Sequence, residues 1–231
     1  MKSLKKAFDL LEYVISRGGN PVTPTECAEA THWNIVTCTR IMGELTELGY
    51  LEKVSRKSGY RPGPMTAALS LRENVYTQLS KASEAPLRRF ASDHGIVVNL
   101  SVIHHSNRVM IRICSGKTSW SVWKDFRFAM DDGLPTSRLL LSTLSGPDRE
   151  KIVPLSAAGH RELDRCFKTK SYEGLEQGLP VQGHLICVPG FPAAAFGYGV
   201  PAGTDGDEML LRGQSTAREI EQILTSHYNI F

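Results

Sequence analysis

The stretch from Pro21 to Pro62 constrains the fold more than any other part of this sequence. A short helix begins near Thr25 and runs through Cys27, Ala28 and Ala30, with the Thr25 hydroxyl its expected cap and Glu26 at the positive end of its dipole. His32-Trp33-Asn34 then reads as a tight turn, and Asn34 can cap the next helix. On that helix Ile35, Cys38, Ile41, Met42, Leu45 and Leu48 recur at helical spacing and are expected to face a core, leaving Val36, Thr37, Thr39, Arg40, Gly43 and Glu44 outside. Gly49 suits the residue just past a helix end. Tyr50–Val54 and Gly59–Arg61 follow as short strands around the polar tip Ser55-Arg56-Lys57-Ser58. Two helices across a tight turn, followed by a basic hairpin, make a winged helix-turn-helix. Such a unit lays one helix in the major groove of DNA and sets the cations of its wing against phosphates.

Charge placement agrees with that reading better than charge total. The net charge is only +3 over 231 residues, so binding to nucleic acid must come from a local patch. The acids ahead of residue 64 lie mainly in helical segments, whereas Lys53, Arg56, Lys57 and Arg61 cluster in the wing. Upstream, Leu4, Ala7, Phe8, Leu11, Val14 and Ile15 mark an amphipathic helix over residues 3–17, with Ser3 as cap and Gly18-Gly19-Asn20-Pro21 as stop. The basic start Met1-Lys2-Ser3-Leu4-Lys5-Lys6 is not followed by the apolar stretch of a secretion signal, and no apolar run approaches the roughly 18 residues of a membrane span. The cysteines Cys27, Cys38, Cys114, Cys166 and Cys187 form no CxxC pair, which fits free thiols in a reducing cytosol. A cytoplasmic location without membrane association is expected.

Several segments then carry a more specific likeness. Ser3-Leu4-Lys5-Lys6-Ala7-Phe8-Asp9-Leu10-Leu11, Thr23-Pro24-Thr25-Glu26-Cys27-Ala28, Thr37-Cys38-Thr39-Arg40-Ile41-Met42, Gly49-Tyr50-Leu51 and Tyr60-Arg61-Pro62-Gly63-Pro64 stand in the order and spacing that resemble the IclR family of bacterial regulators. The resemblance implies an α+β chain: a winged helix-turn-helix over residues 1–64, a linker helix over 65–94, and over 95–231 a GAF-like effector-binding domain with an antiparallel sheet and flanking helices. It implies a ligand-responsive, sequence-specific DNA-binding transcriptional regulator that is not an enzyme and needs no cofactor. It also implies a homodimer or tetramer on a palindromic operator in double-stranded DNA. Expected DNA contacts are Thr37, Thr39 and Arg40 on the recognition helix, Ser3, Lys6, Thr23 and Thr25 toward backbone phosphates, and Lys53, Arg56, Lys57 and Arg61 in the wing. The family's usual lysine and serine ahead of Thr-x-x-Arg are replaced here by Ile35 and Val36.

Beyond the wing, Leu69, Leu71, Val75, Leu79, Ala82, Leu87, Phe90 and Ala91 are the apolar positions of a long helical stretch, in which Pro86 must produce a kink or a fresh start. Residues 96–103 and 109–114 read as strands around a polar turn at His104–Asn107, and Ser119–Trp123 alternates with both tryptophans on one face. Helices are expected over 136–144, 148–153, 161–167 and 208–227, and closing strands over 185–189 and 194–201.

For the sensor half the resemblance implies a small-molecule pocket between sheet and helices. Members that bind small keto-acids carry polar groups where this chain has Leu175, Leu185, Gly197 and Gly199, and the head of the pocket helix is Pro135-Thr136-Ser137-Arg138. Loss of buried hydrogen-bonding groups disfavours a small polar ligand, and the strand glycines leave room for a wider one. A bulky or aromatic acid is therefore expected, with Trp120, Trp123, Phe126, Phe128 and Tyr198 as walls and Arg112, Arg127 or Arg138 at its carboxylate. Thr136, Leu185, Gly197 and Gly199 complete the candidate set. His104-His105 with Cys114 and Asp125 has no metal-ligand spacing, and Gly116-Lys117-Thr118 lacks the upstream glycine of a phosphate loop. The competing reading is a sensor or enzyme whose winged helix binds protein.

Overall fold

The computed structural model describes residues 2–116 and 126–227. They fall into two compact units, one built on the chain up to Glu73 and the other on the chain from Asn74 onward.

The first unit comprises α1 (Lys2–Ser16), α2 (Pro24–Thr31), α3 (Ile35–Glu47), β1 (Leu51–Ser55), β2 (Gly59–Pro62) and α4 (Pro64–Ser70). Helix α1 already includes Ser3 and buries Leu10, Leu11 and Val14, while Leu4 and Phe8 from its expected apolar face are exposed. Helix α2 is capped two residues ahead of the expected cap, Thr25. Thr23 takes the extended N-cap conformation, its hydroxyl accepts from the Glu26 N–H, and Glu26 reciprocates at the Thr23 N–H in a capping box. Pro24 selects this start, because its missing N–H costs nothing in the first turn. On α3, Cys38, Ile41, Met42 and Leu45 are buried as expected, whereas Ile35 and Leu48 at its two ends are exposed. The four buried residues join Leu10, Leu11, Val14, Val22, Cys27, Leu51 and Tyr60 in one core.

The wing is a two-stranded antiparallel sheet extended by a bridge from Val22 to Tyr60, with N–H to carbonyl distances of 2.7 and 2.8 Å. Gly59 makes that bridge possible. Its φ is +90°, and a Cβ there would overlap the Val22 carbonyl, so no other residue fits.

The second unit holds α5 (Val75–His94), β3 (Val97–His104), β4 (Asn107–Ser115), β5 (Arg127–Ala129), α6 (Pro135–Ser142), α7 (Gly146–Ile152), α8 (Ala157–Thr169), β6 (Ser171–Glu176), β7 (Leu179–Ile186), β8 (Ala194–Gly199) and α9 (Gly206–His227). Its sheet has the order β5-β4-β3-β8-β7-β6 with antiparallel neighbours throughout. One face packs on α5 and α9 through Leu79, Leu87, Phe90, Val98, Leu100, Phe196, Ile220 and Leu224. The other carries α6 and α8 through Leu139, Leu140, Leu163, Leu185 and Ala195.

The helical stretch expected over 65–94, with a kink or fresh start at Pro86, is two helices, α4 and α5, and the fresh start lies at residues 71–74 instead. Asn74 explains the restart: its side chain accepts from the N–H groups of Tyr76 and Thr77, and Thr77 closes the box. Pro86 lies inside α5 and is buried. Strands β5 and β6 fall in segments that sequence pattern leaves blank. No helix among the described residues is long and apolar enough to cross a membrane.

Candidate functional site

The first unit gathers its candidate DNA-contacting groups on α3 and the wing. Asn34 caps α3 by accepting from the Val36 N–H at 2.8 Å, which fixes where the helix starts. Burial of residues 38, 41, 42 and 45 then turns Val36, Thr39, Arg40, Gly43 and Glu44 outward. Thr39 donates its hydroxyl proton to the Ile35 carbonyl at 2.9 Å, Arg40 pairs with Glu44 one turn on, and Thr37 is half-buried. In the wing, Arg61 pairs across the strands with Glu52 at 3.0 Å and Lys53 lies 5.8 Å from the centre of the Tyr60 ring. Arg56 and Lys57 are exposed at the tip and form no ion pair among the described residues. Ser55 organises that tip, its Oγ accepting from the Ser58 N–H at 2.8 Å.

The remaining expected contacts are more dispersed. Lys6 stands over the Trp33 ring at 5.0 Å, Ser3 is exposed on the first turn of α1, and Thr25 is exposed on the first turn of α2. Thr23 is engaged as the α2 cap. Its hydrogen bonds hold the Glu26 carboxyl below the usual carboxylate range, the backbone N–H being the larger cause and the hydroxyl the next.

Gly43 is the odd member of the outward face. A Cβ there would meet nothing within 4 Å, so neither packing nor backbone conformation in this chain requires glycine. Gly43→Ala is expected to stabilise the first unit by about 0.5–1 kcal/mol, read as a higher urea midpoint with unchanged slope.

In the second unit the expected effector residues do not converge. Leu185, Gly197 and Thr136 lie on the α6 side of the sheet, whereas Tyr198 and Arg112 lie on the α5/α9 side. Arg112 donates to the Ser80 hydroxyl at 2.9 Å and pairs with Glu84, both on α5. Arg138 extends from α6 to within 3.8 Å of Glu162 on α8, its Nε buried without a hydrogen-bond partner. Gly199 is exposed at the end of β8, Leu175 is exposed on edge strand β6, and Arg127 and Phe128 are on β5. Trp120, Trp123 and Asp125 lie outside the described residues. The room expected at Gly197 is occupied: a Cβ there would press on Thr136 at 3.1 Å, and one at Gly183 on Pro135 and Leu139. These glycines let the start of α6 sit directly on the sheet. His104 and His105 are exposed at the β3–β4 turn, at the other end of the hairpin from buried Cys114.

Sequence reasoning missed the strongest feature of the α6 side. Arg108 is 0% exposed. Its Nε donates to Ser137 Oγ at 3.1 Å, Nη1 to Ser101 Oγ at 3.3 Å and Nη2 to Asp132 at 2.9 Å, and its guanidinium lies 4.5 Å from the Phe128 ring centre. Asp132 also accepts from the Leu134 N–H just ahead of α6, so the buried cation is tied to the start of that helix. Arg108 precedes Arg112 by four residues, and strict strand alternation would put both on one face. A bulge opposite Leu100 and Ser101 places Ile111 as the extra residue and sends the two arginines to opposite faces. The only sequence signal was a charged residue in phase with Met110.

The α5/α9 side has its own polar group. His184 is fully buried, its Nε2 2.8 Å from the Tyr198 hydroxyl, which also reaches Gln182 at 3.2 Å. A Cβ on Gly213 of α9 would overlap this pair, so glycine is what lets the helix pack here. Burial lowers the His184 pKa to about 3, so the ring is neutral in the fold. Unfolded, it takes up a proton near its ordinary value of about 6.5. Stability from this group is therefore complete above about pH 6.5 and is lost as pH falls toward 3, by up to about 1.4 kcal/mol per pH unit. Urea unfolding between pH 7 and 5 should show this slope in excess over the variant His184→Gln. An open cleft of about 560 Å³ runs beside α9, lined by Cys187, Val188, Pro189, Arg218, Glu221, Gln222, Thr225 and Ser226, and shares no residue with the expected effector set.

Residues 3–55 match the family model of the IclR helix-turn-helix domain. No curated protein matches the chain in sequence. Among solved structures, an IclR homolog from Microbacterium hydrocarbonoxydans complexed with 4-hydroxybenzoate is 17% identical with a TM-score of 0.73, over 94% of this chain and 99% of that one. The IclR transcriptional regulator of Alicyclobacillus acidocaldarius is 17% identical with a TM-score of 0.71, over 96% and 98%. Thermotoga maritima IclR is 18% identical with a TM-score of 0.64, over 97% and 99%. At these identities the likeness is one of fold.

Proposed function

From a chain whose N-terminal domain belongs to the IclR helix-turn-helix family, and whose described length has the fold of IclR regulators, we infer a ligand-responsive, sequence-specific DNA-binding transcriptional regulator. The observation that carries this reading is the outward face of α3, capped by Asn34 and flanked by a wing with two exposed cations, Arg56 and Lys57, at its tip. In this reading Thr37, Thr39 and Arg40 face base edges. Arg56 and Lys57, with Lys53, Arg61, Ser3, Lys6 and Thr25, hold phosphates, and a symmetric oligomer reads a palindromic operator.

The second unit then senses a small organic acid. Arg108 is our candidate for its carboxylate, with Phe128 as the neighbouring aromatic surface, because a carboxylate could take the place of Asp132 on the guanidinium. That exchange would free the residues that lead into α6. The structural neighbour that holds 4-hydroxybenzoate makes aromatic acids the first class to try. A mobility shift of the full chain on DNA upstream of its own gene, repeated with 4-hydroxybenzoate, benzoate and aliphatic acids, tests both halves. A shift that an acid alters supports the reading; a shift that none alters removes the sensing half.

A further inference from the structure

We propose that the first turn of α3 recognises thymine, with Val36, supported by Ile35, packing on C5-methyl groups in the major groove. The proposal rests on the DNA-binding reading above and specifies what that helix selects. Val36 is 71% exposed and Ile35 47%, so neither contributes a full side chain to the core that holds α3 in place. At this turn the side-chain amide oxygen of Asn34 is taken by the Val36 N–H, and the Thr39 proton by the Ile35 carbonyl. The first two side chains of the helix itself, Ile35 and Val36, are therefore exposed hydrocarbon.

Of the four bases, only thymine offers a methyl group on its major-groove edge. Valine is suited to that contact because one χ1 rotamer dominates in a helix, so little freedom is lost on docking. Selection also works by exclusion. A guanine O6 or cytosine N4 covered by Val36 would lose water and gain no partner. Gly43 lies two turns along on the same face with open space around it, so the helix can approach the groove closely without a side chain holding it off.

The test uses full-length protein and a duplex that it selects from a random 30-bp library, compared with the same duplex carrying deoxyuridine at each thymine. Wild type should bind the uracil duplex about fourfold more weakly for each contacted methyl. Val36→Ala should fold normally, bind the thymine duplex about fourfold more weakly, and lose discrimination between the two duplexes at that position. Equal binding of both duplexes by wild type, or undiminished discrimination by the variant, overturns the thymine assignment and leaves DNA binding intact. Failure to enrich any duplex overturns both.

Discussion

Replacing Arg40 by alanine is expected to lower operator affinity by about 5- to 150-fold, the range for losing one bidentate base contact, while leaving folding stability within about 0.5 kcal/mol. Arg40 is exposed and, among the described residues, forms an ion pair only with Glu44 on its own helix, one turn away. Such exposed pairs contribute a few tenths of a kcal/mol, and alanine recovers part of that through helix propensity. The two effects are therefore separable. Anisotropy titrations on operator and scrambled duplexes should show the loss on the operator, together with an unchanged urea transition. Arg56→Ala gives the contrast: a wing phosphate contact should weaken binding to both duplexes alike and reduce the salt slope by about one.

Asp132→Ala is expected to destabilise the second unit by about 3 kcal/mol. Removing one partner of a buried ion pair leaves the other charge uncompensated, which typically costs 3–5 kcal/mol. The low end applies because the Asp132 side chain is 23% exposed, whereas that of Arg108 is fully buried. The variant also removes the acceptor for the Leu134 N–H at the start of α6. Arg108→Met should be milder, since it withdraws the charge along with its demand for partners. If a carboxylate can replace Asp132, benzoate or 4-hydroxybenzoate at millimolar concentration should return part of the lost urea midpoint to Asp132→Ala and none to Arg108→Met. Equal stability of Asp132→Ala and wild type would mean that the cation is solvated in some other way.

The first unit was largely legible in the sequence because local rules decide it. Asn34 caps α3 where a cap was expected, Gly49 follows its end, and the hairpin turns where the polar residues cluster. Most of the misses there are near helix ends, where a short helix has no second layer to cover it: Leu4, Ile35 and Leu48 are in helical phase yet exposed, as is Phe8 in the middle of α1. Pro24 shifts the α2 cap by two residues for an equally local reason.

The second unit was legible as a list of elements and not as a site. Strands β5 and β6 are short or polar edge strands, with little apolar alternation to mark them. The bulge at Ile111 reverses the face of everything after it, so spacing alone misassigns Arg108 against Arg112. Gly183 and Gly197 read as empty space in sequence, but long-range packing against Pro135, Thr136 and Leu139 fills it.

The central claim is specific binding of duplex DNA, and one titration tests it most directly. Full-length protein is added to a labelled duplex from upstream of its own gene and to a scrambled duplex of the same composition, both at 150 mM salt. Binding to the upstream duplex is expected to be at least about a thousandfold tighter, with affinity falling steeply as salt rises. Equal affinities for the two duplexes across the salt range would contradict it.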